Sequence, residues 1–302
     1  MHDSSVHYIA QQPCCPLECC MLIRDMLQEK ATLSFEFFPP KDHVGFWELH
    51  GTICLLKALS PDFVSVTRRT GGRALTTELT SRVKSDLGME SMAHLTCVDS
   101  TPDKIGQAVD ELKAKGIRNI LALRGDLPKD GPAKLAFEHA NDLVAFLRAR
   151  HPDLCIGAAC YPETHPDAPS AAVDLGNLKR KVDAGADFLI TQLFFDNRRF
   201  LRFRDRADKA GVNVPVIAGI IPILGAKQVK RFAAMCGAGI PPSLRKKIES
   251  VGDDTEALRH VGMFHATKQC LNLLRNGVAG LHFYTLNRSS ATRAICQYVR
   301  SS

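Results

Sequence analysis

From Thr32 onward, short runs rich in β-branched and aromatic residues alternate with longer amphipathic segments. This alternation constrains the fold more than any other feature. The strand-like runs are residues 33–38, 63–67, 92–97, 117–123, 155–160, 188–193, 214–220 and 280–285. Gly88 and Gly116 stand where the helices before the third and fourth runs must end, in a position where a left-handed backbone is cheapest for glycine. Thr101-Pro102-Asp103 sets a capping hydroxyl before a first-turn proline, and Ile105, Val109 and Leu112 then share one helix face. Another helix is expected over 175–182, ended by the Asp183-Ala184-Gly185 turn. Strand then helix, repeated eight times over about 250 residues, predicts an α/β fold of one closed parallel sheet, a single (β/α)8 TIM barrel. A doubly wound open sheet is the runner-up. It would carry a Gly-rich dinucleotide fingerprint, and none is present. The expected division is a Cys-rich helical extension over 1–30 and a catalytic barrel over 31–302, with no repeat or linker between them.

Composition excludes several classes. The chain is 45% hydrophobic and 24% charged, close to an average globular domain. No apolar run approaches the roughly 18 residues of a membrane span, and no basic segment leads into an apolar one at the N-terminus. A cytoplasmic protein with no membrane partner is expected. The net charge of +7 invites a nucleic-acid reading, but the basic residues are interleaved with 32 acidic ones. The run Arg245-Lys246-Lys247 reads as a solvated helix face, and no nucleic-acid partner is expected. The surplus suits an anionic small-molecule substrate or cofactor. Cys54, Cys97, Cys155, Cys160, Cys236, Cys270 and Cys296 lie among apolar residues, where a reduced thiol is a small hydrophobe. Cys14-Cys15 and Cys19-Cys20 could hold a soft metal or form a redox switch, but no second cluster completes a zinc site. No metal is expected. Assembly into a homo-oligomer is expected.

In a parallel barrel the chemistry gathers at the C-terminal ends of the strands. The first run ends Ser34-Phe35-Glu36-Phe37-Phe38-Pro39-Pro40. A carboxylate between phenylalanines at the barrel mouth is desolvated, which favours its neutral form and suits it to general-acid work. The bland alternative is an inward Glu36 paired with a barrel Lys or Arg. The third run carries His94, which a satisfied core histidine would explain equally well. The fourth ends Leu123-Arg124-Gly125-Asp126, where Gly125 admits a close ligand and Asp126 adds a second carboxylate. The fifth leads into Tyr161-Pro162-Glu163-Thr164-His165-Pro166, and the sixth ends at Thr191-Gln192. Asn177, Arg180 and Lys181 follow on the next helix. They are either a solvated face or a clamp for a pyrophosphate, since Arg offers a planar fork and Lys a point charge.

These segments resemble bacterial methylenetetrahydrofolate reductases. The resemblance is carried by Ser34-Phe-Glu-Phe-Phe-Pro-Pro, His94-Leu-Thr-Cys, Leu121-Ala-Leu-Arg-Gly-Asp-Leu-Pro, Tyr161-Pro-Glu-Thr-His-Pro, Asn177-Leu-Lys-Arg-Lys-Val-Asp-Ala-Gly-Ala and His282-Phe-Tyr-Thr-Leu-Asn-Arg. It spans roughly 32–299, with every motif in order. It implies a barrel that binds FAD, takes hydride from NADH or NADPH, and reduces 5,10-methylenetetrahydrofolate to 5-methyltetrahydrofolate, the methyl donor for methionine synthesis. By position it makes Glu36 the general acid at the folate N10 and Asp126 the carboxylate that touches both flavin and pterin. Thr67, His94, Arg124, Gly125, Ala140, Tyr161, His165, Ala168, Asp174, Asn177, Arg180 and Lys181 fall where such enzymes hold flavin. Gln192, Gln228, Phe232 and Arg288 fall where they hold folate or nicotinamide. The reaction implied has two steps: the reduced nicotinamide reduces the flavin and leaves, then the folate takes its place and is opened by acid before its carbon is reduced. This chain departs from the pattern at Arg68-Arg69-Thr70, where a Tyr-Gly-Ala type sequence is usual, and at His139, where Tyr is frequent. Two guanidinium groups at that rim would suit the 2′-phosphate of NADPH, a pyrophosphate or the folate glutamate tail, or else open solvent. A related barrel enzyme acting on another pterin or with a protein electron donor remains an alternative. So does a folate-binding methyl-transfer module without redox chemistry.

Overall fold

The computed structural model describes residues 21–40, 43–68, 73–98, 100–126 and 136–301. Eight strands close into one parallel barrel in chain order: β1 (Thr32–Phe37), β2 (Phe63–Val66), β3 (Ser91–Thr96), β4 (Asn119–Leu123), β5 (Cys155–Cys160), β6 (Phe188–Thr191), β7 (Val216–Ile220) and β8 (Gly280–Tyr284). The predicted barrel is therefore the observed one, and the open sheet is excluded. Most strands are shorter than their hydrophobic runs. Phe38, Thr67, Cys97 and Thr285 have left the sheet and belong to the loops that form its mouth.

The helices outside the barrel are α2 (His43–Lys57), α3 (Arg73–Ser85), α4 (Pro102–Ala114), α5 (Ala140–Arg150), α6 (Ala171–Asp183), α7 (Asn197–Lys209), α8 (Ala226–Cys236), α9 (Pro242–Ser250), α10 (Thr255–Arg275) and α11 (Ser290–Arg300). The Thr101 side chain caps α4 by accepting from the Lys104 amide, as expected. Helix α6 starts four residues before the expected 175, because the Ser170 hydroxyl caps it by accepting from the Val173 amide. Its first turn is exposed, so hydrophobic periodicity could not reveal it. Arg245, Lys246 and Lys247 are exposed on α9, the solvated face that was expected. Gly88 and Gly116 have φ +62° and +73°, the left-handed turn endings predicted for them.

Side chains alternate across each strand, so the barrel has two apolar compartments. Phe35, Phe37, Val64, Val66, Ala93, Leu95, Ile120, Ala122, Leu189 and Phe283 face outward against the helices. Phe63, Met92, Leu121, Cys155, Phe188 and Ile217 fill the interior toward its N-terminal end. Helix α1 (Ile23–Glu29) closes that floor, inserting Ile23 and Met26 into the same cluster. The Ile23 amide donates to Asn119 Oδ1 at 2.9 Å, so the first residue of β4 anchors the plug. Residues 1–20, with Cys14, Cys15, Cys19 and Cys20, lie outside the described residues. Of the other cysteines, five are buried, Cys236 is half-buried, and Cys54 is exposed on α2 rather than acting as core. Among the described residues no helix is long and apolar enough to cross a membrane, and no cluster of His, Cys, Asp and Glu could hold a metal ion.

Candidate active site

Above the apolar floor the barrel interior turns polar. Ser34 and Glu36 on β1, Ser65 on β2, His94 on β3, and His282 and Tyr284 on β8 all point inward. The register pairs Ser34 with His282, and Glu36 with Ser65 and Tyr284. Buried polar groups are costly unless they satisfy one another. Glu36 is 7% exposed, with Oε2 3.7 Å from His94 Nε2 and 3.5 Å from His282 Nε2. The alternative of a Lys or Arg partner for Glu36 does not hold: among the described residues the basic side chains within 4 Å of its carboxyl are these two histidines. His94 Nε2 also meets Ser65 Oγ at 2.5 Å. Burial pushes the His94 pKa down to about 4, against the raising effect of Glu36, so its ring is neutral at pH 7. The Thr285 hydroxyl donates to the Glu36 carbonyl at 2.6 Å, tying β1 to the end of β8.

Glu36 and His94 lie at the bottom of a cleft of about 520 Å³ over the C-terminal ends of the strands. It brings together fourteen residues singled out in the sequence: Glu36, Thr67, His94, Arg124, Gly125, Asp126, Ala140, Tyr161, His165, Ala168, Asp174, Asn177, Lys181 and Gln192. Arg68 and His139, the two departures, also line it. Arg68 is docked on the end of β3, with Nη1 donating to Ser100 Oγ at 2.9 Å and to the Thr96 carbonyl at 3.3 Å, so it is not a solvated loop residue. Arg69 and Thr70 lie outside the described residues.

Three local arrangements shape the cleft wall. Gly125 has φ +82°, and a Cβ there would stand 3.1 Å from the Thr96 Cβ, so glycine alone fits this close turn. Tyr161 and His165 pack with ring centroids 4.5 Å apart. His165 Nδ1 accepts from the Asp167 amide at 3.0 Å, which leaves the ring hydrogen of the neutral form on Nε2. Burial holds the His165 pKa below its usual value. Asp174, in the first turn of α6, accepts from the His165 amide at 3.0 Å.

Lys181 and Arg180 are adjacent but do not act alike. Lys181 points inward, with its ammonium donating to the Ala159 carbonyl at 2.9 Å, and burial lowers its pKa. Arg180 is exposed, outside the cleft lining, and donates to Asn177 Oδ1 at 2.8 Å. Gln228 and Phe232 sit half-buried on α8 and Arg288 is exposed after β8; none of the three lines the cleft.

Sequence reasoning assigned no role to several groups here. Tyr284 lines the cleft, and its hydroxyl donates to the Thr191 carbonyl at 2.7 Å; burial raises its pKa well above the usual range. Asp167 takes a 2.8 Å ion pair from Arg124, which lowers its pKa. His282 is fully buried. The alternation in Leu281-His282-Phe283-Tyr284 was a usable signal for two of them, since apolar residues facing out put His282 and Tyr284 inside.

A sequence model of the methylenetetrahydrofolate reductase family matches residues 22–300. The 5,10-methylenetetrahydrofolate reductase of Escherichia coli (strain K12) is 44% identical over 272 residues, covering 89% of this chain and 91% of the relative. Methylenetetrahydrofolate reductase (NADH) 1 of Arabidopsis thaliana is 39% identical over 277 residues, covering 86% of this chain but only 47% of the plant protein. Among solved structures, an uncharacterized protein from Clostridium thermocellum that binds two copies of 5-methyl-5,6,7,8-tetrahydrofolic acid superposes with a TM-score of 0.65. At 15% identity, over 93% of this chain and 99% of that one, the likeness is one of fold.

Proposed function

The chain belongs to the methylenetetrahydrofolate reductase family, and from that premise we propose that it reduces 5,10-methylenetetrahydrofolate to 5-methyltetrahydrofolate with bound FAD and a reduced nicotinamide, in the supply of methyl groups for methionine synthesis. The observation that carries this reading is a nearly buried carboxyl, Glu36, at the bottom of a wide cleft and flanked by two histidines.

The residues present fit a dinucleotide. The Thr67 hydroxyl oxygen is buried at the cleft with no hydrogen-bond partner among the described residues, a polar atom suited to a bound group. Lys181 has two ammonium hydrogens beyond the one given to Ala159, suited to a pyrophosphate oxygen. Gly125 lines the cleft, where a residue without a side chain lets a flat ring approach the backbone. Arg124, Ala140, Tyr161, His165, Ala168, Asp174 and Asn177 complete this wall, with Arg180 assisting from outside it. When bound, the flavin supplies the hydride that reduces the methylene carbon.

The rest is done by the chain itself. The bridging amine of the folate is a poor leaving group until N10 is protonated. Glu36 gives its proton to N10, the ring carbon–nitrogen bond opens, and the methylene carbon becomes electrophilic. Asp126, exposed at the rim, orients the pterin. Gln192 lies within the cleft, and Gln228, Phe232 and Arg288 beyond it suit the rest of the folate and, in turn, the nicotinamide. The donor is NADH or NADPH; Arg68 at the rim suits an anionic part of it.

The test separates the two half-reactions by flavin absorbance. Glu36→Gln retains bleaching by NADH and loses reoxidation by methylenetetrahydrofolate by several orders of magnitude. Near-normal reoxidation in that variant would remove the assignment.

A further inference from the structure

His282 lies under Glu36, takes no part in the cleft lining, and is 0% exposed. Its two ring nitrogens have unlike surroundings. Nδ1 meets Ser34 Oγ at 2.8 Å. Nε2 is buried without a hydrogen-bond partner among the described residues, 3.5 Å from Glu36 Oε2. Ser34 has one hydroxyl hydrogen and a second neighbour, the Leu281 carbonyl, at 3.4 Å. A carbonyl can only accept. The Ser34–His282 contact fits either direction; in the arrangement that also serves Leu281, the Ser34 hydrogen turns to that carbonyl, the serine oxygen offers lone pairs to His282, and Nδ1 carries the ring hydrogen. Nε2 of the neutral ring is then bare. A bare nitrogen facing a carboxylate sets lone pairs against lone pairs; facing a carboxyl O–H, it is a hydrogen-bond acceptor.

We propose that His282, its tautomer set by Ser34, is a positioning residue that holds the Glu36 side chain in its protonated form. The inference rests on the reading of Glu36 as the acid. Among the described residues, the titratable groups that face Glu36 are His94 on β3 and His282 and Tyr284 on β8. His94 adds no cation to favour the carboxylate, because burial keeps it neutral above pH of about 4. The Tyr284 hydroxyl is committed to the Thr191 carbonyl. Ring contacts hold the imidazole in place: Phe63 stacks on it at 6.2 Å, and Tyr284 meets it edge-on at 5.5 Å.

The test is the infrared C=O stretching band of protonated Glu36, identified as the band that Glu36→Gln abolishes, followed against pH in the protein as purified. His282→Asn keeps a polar group within reach of Ser34 but withdraws the one facing Glu36. The band should then vanish at about one pH unit lower than in wild type, a tenfold loss of proton affinity comparable to one net hydrogen bond. His282→Gln, which restores a polar group near Nε2, should return the band toward the wild-type profile. Ser34→Ala leaves the core volume nearly intact and unlocks the tautomer, so it should shift the band in the same direction and stands in if His282→Asn does not fold. In each variant NADH-driven flavin bleaching should persist, while the optimum of folate-driven reoxidation moves to lower pH. A band unmoved in both His282→Asn and Ser34→Ala, or moved to higher pH, would overturn the proposal. Folate reoxidation that survives Glu36→Gln would remove only the underlying reading, since the band reports on His282 either way.

Discussion

At the scale of single residues, Lys181 and His94 show how burial converts a common side chain into a specialised one. Lys181 is a cation with one neutral acceptor in a cleft wall, whereas its neighbour Arg180 is solvated and already bonded to Asn177. The two should therefore differ toward flavin. Apoprotein titrated with FAD should lose about 1.5–3 kcal/mol of binding in Lys181→Ala, the range for charge-assisted bonds, and distinctly less in Arg180→Ala. Equal losses would mean that Arg180 swings inward on binding; no loss in either would return both to the solvated helix face. His94 makes a prediction about pH. Its pKa falls from 6.5 in an unfolded chain to about 4 here, so between those values the unfolded chain binds a proton that the folded chain refuses. Stability must fall as pH drops through that window and recover as pH rises. At about 1.4 kcal/mol per pH unit, the full loss is about 3.5 kcal/mol. Urea unfolding from pH 7 to 4 should show this decline, and His94→Asn should flatten it. Both residues were visible in the sequence as candidates. Which nitrogen or ammonium faces what was not, because that depends on residues on other strands: Ser65 for His94, Ala159 for Lys181.

At the scale of elements, the barrel floor is the part that local pattern described least. Helix α1 is seven residues long and stands before the first strand, so it reads as an appendage. In the fold it is the plug of the barrel, with Ile23 fully buried and Met26 nearly so against Phe63, Met92 and Phe188. Ile23→Ala should cost about 2–5 kcal/mol, the range for truncating a large aliphatic side chain in a rigid core. A melt of that variant would test it, and a loss below about 0.5 kcal/mol would show that α1 is not part of the cooperative unit. Gly157 on β5 belongs to the same floor: a Cβ there would stand 2.6 Å from the Phe188 ring. Gly157→Ala should destabilise by about 1–3 kcal/mol through overpacking, although alanine has the better intrinsic propensity. Elements whose ends carry a chemical marker, such as α4 with Thr101-Pro102, were legible to the residue; α6, whose first turn is exposed, was not.

At the scale of the molecule, Cys14, Cys15, Cys19 and Cys20 precede the first barrel strand and belong to none of the motifs that carry the family resemblance. Replacing Cys14, Cys15, Cys19 and Cys20 together with Ser should leave flavin content and turnover intact. Stoichiometric zinc lost along with activity in that variant would reveal a metal site. The sequence by itself determined the architecture, because each strand and helix announces its period locally and eight such units in series close into a barrel with its chemistry at one end. It also determined the identity of most of the cleft lining, since a strand end needs no distant information to be a strand end. Tertiary structure alone decided the pairings: Glu36 with two histidines rather than a Lys or Arg, Arg68 with Ser100, and Lys181 inward while Arg180 faces out. The contact widest in sequence joins Glu36 and His282, 246 positions apart, and it arises only when β8 closes against β1. Protonation and hydrogen-bond direction follow from which group stands across a few ångströms, and that distance exists only once the barrel has closed.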